Sequence, residues 1–267
     1  MAKDPFSRNH NQVSETKANV IRRVSFDIGS ATTKMVVADV DIQKNRIISV
    51  VLKDTRLAGY KNNLQRPGSD GTISDAMLSQ GIQALQALKA AAQALNPEPS
   101  EFCAVATAAF RTAKNGLDIA QALEKHTNIP IKIINQAEEA RLGFQGAVAK
   151  TGVDAQYALV WDVGGGSMQM ANLDSHKKLE IYESNFAFIP FTQMVIKTIQ
   201  HKEPDPHGSP NPLTEKEAQE AIDLAYEHAA QLPDFIKHKI MSLPPWSLVL
   251  VQSIMLLYRL IWQNPSR

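Results

Sequence analysis

The sequence predicts an α/β protein made of two related lobes. Three observations carry that prediction. Apolar runs of strand length alternate with segments of helical period along the chain, the pattern of a sheet covered by helices. A unit that opens as a hairpin and continues as alternating strands and helices starts near residue 22 and again near residue 157. Each unit carries a similar device at its first turn: FDIGSATTK (Phe26 to Lys34) and WDVGGGSMQ (Trp161 to Gln169).

Taken in order, residues 1–20 are polar and aperiodic and are expected to form a disordered arm; they lack the apolar core of a signal peptide. Val24 and Phe26 alternate with polar residues, Asp27 to Ser30 turn, and Met35 to Ala38 resume, so two strands pair around a short turn. RIISVVLKDTR (46–56) supplies a third strand. Asn62 to Gly71, rich in Gly, Pro and Asn, reads as a loop. Ile82, Leu85, Leu88, Ala92 and Leu95 recur at three and four, giving a helix over Ser74 to Leu95 that NPEP stops. FCAVAT (102–107) is a buried strand, Asn115 to Lys125 a short helix, IKII (131–134) a strand and Gln136 to Lys150 a helix. YALVWD (157–162) is again a strand. MQMANL and LEIYES form a hairpin through Asp174 and Ser175, and Pro190 to Gln200 is a helix. HKEPDPHGSPNP (201–212) is a loop by composition. T-E-K-E from Thr214 is a capping box that opens another helix.

Composition sets limits. Of 267 residues, 44% are hydrophobic and 21% charged, with a net charge of +1. No global field points to nucleic acid or to an acidic membrane, so an anion must be held locally. The single cysteine, Cys103, lies in an apolar run and cannot pair within the chain, which suits a reducing cytoplasm. WSLVLVQSIMLLYRLIW (246–262) is interrupted by Gln252 and Arg259 and is shorter than the roughly 20 apolar residues of a membrane span. It reads as a buried strand and helix. The histidines His201 and His207 show no metal-ligand spacing.

The chemistry rests on the repeated turn. One Asp-x-Gly is an ordinary hairpin signal; two, the second with three glycines in a row, ask for more. Glycine lets backbone approach an anion, and successive N–H groups can form a nest around phosphate. Gly29 and Ser30 in one turn, and Gly164, Gly165, Gly166 and Ser167 in the other, are candidate phosphate-binding residues. A strand-end carboxylate would repel phosphate directly but can hold Mg²⁺, which bridges to it. Asp162 and Asp27 are the candidate metal ligands.

Two such facing loops resemble the phosphate loops of the actin-like ATPase and sugar-kinase fold. ATAAFRTAKNG (Ala106 to Gly116) and IKIINQAEEARLGFQGAV (Ile131 to Val148) narrow the resemblance to the exopolyphosphatase and guanosine pentaphosphate phosphatase family, over roughly Arg22 to Phe191. The resemblance implies a two-lobed actin-like fold, with lobes at 21–148 and 149–267. It also implies a Mg²⁺-dependent hydrolase that releases phosphate from polyphosphate or guanosine pentaphosphate in the cytoplasm. No membrane or nucleic-acid partner is expected, and a homodimer is compatible with it. By motif match Glu139 is the general base, Arg111 clasps phosphate, and Thr107 donates a hydroxyl nearby. Glu138, three residues before Arg141, is expected to pair with it.

Three departures from the family pattern stand out. Gln169 occupies a position usually held by glutamate; it is kept as a candidate phosphate contact but cannot carry a negative charge. Ala31 and Thr32 follow Ser30 where an asparagine and a serine are usual. Gly208 is the only glycine after Gly166, so the late glycine-rich turn is missing and the second lobe reads as incomplete at its carboxyl end. These departures keep a second reading open, a polyphosphate- or nucleotide-binding protein with impaired turnover. An ATP-dependent sugar-kinase-like protein is a third.

Overall fold

The computed structural model describes residues 20–44, 46–66, 68–95, 102–203, 208–243 and 248–251, the last segment by its backbone. The expected amino-terminal arm, the NPEP stop, His207 and the apolar run IMLLYRLIW lie outside the described residues.

Two sheets organise the chain. In the first, β1 (Val20–Ile28) and β2 (Thr32–Asp41) form a hairpin, and β3 (Arg46–Leu57) extends it antiparallel. β4 (Phe102–Ala106) lies parallel to β1 on its other side and β5 (Ile131–Ile133) parallel to β4, giving the order β3-β2-β1-β4-β5. In the second, β6 (Leu159–Val163), β7 (Met168–Leu173) and β8 (Leu179–Ser184) form an antiparallel meander, and β9 (Leu248–Val251) lies parallel to β6. The order β8-β7-β6-β9 repeats the first four positions of the larger sheet. The repeat expected from the sequence is therefore a repeat of strand connectivity as well as of turn sequence.

Helices close the layers. Strands β1 and β4 are buried along most of their length, and Val24, Phe26, Ile28, Ala104 and Ala106 join one core with Leu85, Leu88 and Ala92 of α2 (Asp75–Gln93). Ser74 caps α2 by accepting from the Met77 amide. The stretch expected as a loop from Asn62 begins within a short helix, α1 (Tyr60–Gln65). Tyr60 anchors that helix in the core, and Asn63 exchanges two hydrogen bonds with Ser74. Another unexpected helix, α3 (Ala108–Thr112), is a single turn after β4 whose Phe110 packs edge-on against Tyr60. α4 (Gly116–Thr127) falls where a helix was expected.

α5 (Gln136–Thr151) touches both sheets. Its Leu142 packs with Val105 and Ile134, while Ala140, Phe144 and Ala147 pack with Val160 and Ala171. α6 (Phe188–Met194) starts two residues before the expected Pro190 and passes into a π-helical turn over Val195–Ile199. α7 (Glu215–Ala230) opens with the complete Thr214–Glu217 capping box. α8 (Asp234–Ser242), not expected from the sequence, fixes the second sheet's far face through fully buried Ile236, which meets Leu159 and Met170. Cys103 is buried as expected.

Candidate active site

The two repeated turns are built alike. Gly29 donates to the Thr32 carbonyl at 2.9 Å, and Gly164 donates to the Ser167 carbonyl at 2.9 Å, so each turn is closed by the same bond. Each is also held by the segment that follows its meander. The Ser30 carbonyl accepts from the amide of Lys61 in α1, and the Gly164 and Gly165 carbonyls accept from Phe188 and Ile189 in α6. These carbonyls are taken up by groups outside the cleft, the arrangement an anion-binding turn requires.

The turns face each other. A Cβ on Gly165 would lie 3.0 Å from the Ala31 Cβ, and one on Gly166 would lie 2.5 Å from Ser30 Oγ. A side chain at either position would have to push its neighbour across the cleft aside. The cleft beside them has about 520 Å³ of empty space, part of it open solvent. Asp27, Gly29, Ser30, Thr107, Glu139, Asp162 and Gly164 to Ser167 all line it. Residues from β1, β6, α5 and the β4–α3 junction are thus brought to one place.

Its electrostatics follow from burial. Asp27 is the next-to-last residue of β1, and its carboxyl is pushed up to about 7 by loss of water, then by the nearby Glu139, with Lys34 opposing. Asp162 holds the same place in β6 and is also pushed up to about 7, by burial first, then by Glu139 and Asp27, again opposed by Lys34. Glu139 is 9% exposed, and burial raises its pKa while Arg111 draws it down. Two polar atoms of the cleft, Asp27 Oδ1 and Ser30 Oγ, are buried without a hydrogen-bond partner. A buried orphan of this kind is costly unless a ligand completes it.

Arg111 and Gln169 do not line the cleft. The Arg111 guanidinium donates to Glu139 Oε2 at 2.7 Å, to the Ile134 carbonyl at 2.9 Å and to Ser167 Oγ at 3.3 Å. In this state it holds the glutamate. Gln169 Nε2 donates to Ser167 Oγ at 3.1 Å. Gln169 reaches the cleft through Ser167, and Arg111 through Ser167 and Glu139. The expected Glu138–Arg141 pair is not formed: Glu138 pairs with Lys132 at 2.9 Å and Arg141 donates to Gln145. Glu138 sits in the first turn of α5, beside the strand that precedes it, and that neighbour takes its charge. Lys34 lines the cleft and was missed. The signal was present, because the hairpin register places Lys34 directly across from Asp27.

The pattern has a counterpart in known proteins. A sequence model of the Ppx/GppA phosphatase family matches residues 18–203. The chain belongs to this family. Structures agree on the Ppx/GppA architecture. The Ppx/GppA family member of Aquifex aeolicus is similar with a TM-score of 0.56 at 21% identity, over 75% of this chain and 59% of that one. An exopolyphosphatase from Cytophaga hutchinsonii is similar with a TM-score of 0.63 at 17% identity, over 87% of this chain and 67% of that one. A type IV pilus biogenesis complex of PilM and PilN matches with a TM-score of 0.53 at 9% identity, over 88% of this chain and 83% of that one. The fold is the actin-like ATPase fold. This chain spans about three fifths of the length of the Aquifex protein.

Proposed function

We propose that the cleft hydrolyses a terminal phosphoanhydride, with inorganic polyphosphate or guanosine pentaphosphate as substrate. The observation that carries this reading is the convergence of both glycine turns and Glu139 on one cleft. The turns would receive the phosphate oxygens, with Ser30, Thr107 and Ser167 as hydroxyl donors. Glu139 would orient the attacking water and take its proton. Its raised basicity favours that role, and Arg111 draws its pKa back down and fixes its direction. Such chemistry needs positioning and charge neutralisation more than covalent work.

Mg²⁺ fits the donors present. Asp27 and Asp162 offer the hard oxygens it prefers, and one oxygen of Asp27 lacks any partner. Among the described residues no three acidic, histidine or cysteine side chains form a metal cage, and Mg²⁺ is commonly held by one or two carboxylates together with water and substrate phosphate. Asp27 and Asp162 would be the residues to hold it, and it would neutralise phosphate charge. Lys34 would balance the same two carboxylates in its absence.

Gln169 favours a second reading, a phosphate-chain binder with little turnover, because an amide stands in the buried shell where a charge would assist a metal. Phosphate release measured with polyphosphate, guanosine pentaphosphate and ATP, with and without Mg²⁺, tests both. Release from either of the first two supports hydrolysis. Binding without release supports the second reading, and release from ATP alone overturns both.

A further inference from the structure

Ser167 Oγ receives two hydrogen bonds, from Gln169 Nε2 at 3.1 Å and from Arg111 Nη2 at 3.3 Å. A hydroxyl has two lone pairs and one proton. With both lone pairs filled, its proton must be donated elsewhere, and Ser167 is part of the cleft wall. Gln169 is 2% exposed and does not itself line the cleft. Its effect depends on being an amide. A carboxylate there would have no proton to give and would accept the Ser167 proton, turning the hydroxyl inward.

We infer that Gln169 is a positioning residue that commits the Ser167 hydroxyl to donate to a non-bridging phosphate oxygen. The inference rests on the cleft being a phosphate site. It deepens that reading by assigning the amide a task that needs neither a charge nor a metal. Across the turn, the unpartnered Ser30 Oγ supplies a second hydroxyl beside Gly166. A committed donor favours acceptor-only ligands, such as the oxygens of a phosphoanhydride chain, over hydroxyl-bearing ones such as sugars.

The test is a double-substitution cycle read by calorimetric binding of inorganic tripolyphosphate to the full chain, in chelator and again in Mg²⁺. Gln169→Glu and Ser167→Ala should each weaken metal-free binding about tenfold, as loss of a hydrogen bond to a charged group does. The double variant should be no weaker than Ser167→Ala, because the amide acts only through that hydroxyl. If Gln169→Glu costs as much on top of Ser167→Ala as it does alone, the effect is charge repulsion and the inference falls. Should Gln169→Glu not fold, the same cycle is run with the neutral Gln169→Met, and additivity again overturns the inference. Tripolyphosphate binding by the wild type that Gln169→Glu leaves unchanged defeats this inference alone. No binding by the wild type, with or without Mg²⁺, defeats the phosphate reading as well.

Discussion

Arg111 and Glu139 form an ion pair at 2.7 Å although they belong to different elements, one on the turn after β4 and the other at the start of α5. Their side chains are 18% and 12% exposed, so little water screens the pair. The arginine fixes the direction of the glutamate and opposes the upward push of burial on its pKa.

Replacing Arg111 with Ala should therefore move the pH dependence of phosphate release. Arg111 lowers the Glu139 pKa against the upward push of burial, so its loss lets that pKa rise further. The acid-side fall in activity should shift to higher pH, and turnover at neutral pH should drop. Stability should fall by roughly 2–4 kcal/mol, because the glutamate is left without its partner. Arg111→Lys should lie between the two. A pH–rate profile and denaturant melts check both effects, and an unmoved acid limb would separate Arg111 from the base.

Glu139→Gln keeps the shape of the proposed base and removes its proton affinity. Phosphate release should fall at least about 100-fold, while tripolyphosphate affinity stays largely unchanged. Turnover that survives the change would place the base elsewhere.

Asp27 and Asp162 give a pH-dependent stability. Each loses its proton near 3.8 unfolded but at about 7 when folded. Between these values the folded state binds more protons, so stability falls as pH rises through the window. Their favourable contribution is complete below pH 3.8 and lost above about 7. Asp27→Asn and Asp162→Asn should gain on the wild type as pH rises through that window, by on the order of a few kcal/mol. Mg²⁺ should raise the Tm of the wild type more above the window than within it, since only ionised carboxylates attract it. Thermal melts at roughly pH 5 and pH 8 read both trends.

Ser30→Ala should separate binding from folding. Its hydroxyl is buried and unpartnered, so removing it should leave stability unchanged or improve it by about 1 kcal/mol. Tripolyphosphate affinity should nevertheless fall about tenfold, as for a lost hydrogen bond to a charged group. Equal losses in melting and binding would mark Ser30 as structural.

The strands and the long helices were legible because their period shows in the residues. The regularly spaced Leu85, Leu88 and Ala92 placed α2, and alternation about Phe26 placed β1. The short helices α1, α3 and α8 were not legible. Each is fixed by one to three buried side chains, such as Tyr60, Phe110 or Ile236, too few to show a period. The cleft lining could be read from the paired turns and from Glu139, because glycine spacing reports what backbone must do. The Arg111–Glu139 bond could not, since its partners stand 28 residues apart and no local rule links them. The same-helix rule also failed for Glu138, where a strand neighbour competed.

Gln136, one turn before Glu139, donates to the carbonyls of both Met168 and Ser184 in the second sheet. The helix that carries Glu139 is thereby tied to the second sheet, while Arg111 reaches Glu139 from the turn after β4. On the proposed mechanism, alignment of Glu139 depends on both anchorages, a two-key lock in which a displacement of either withdraws one key.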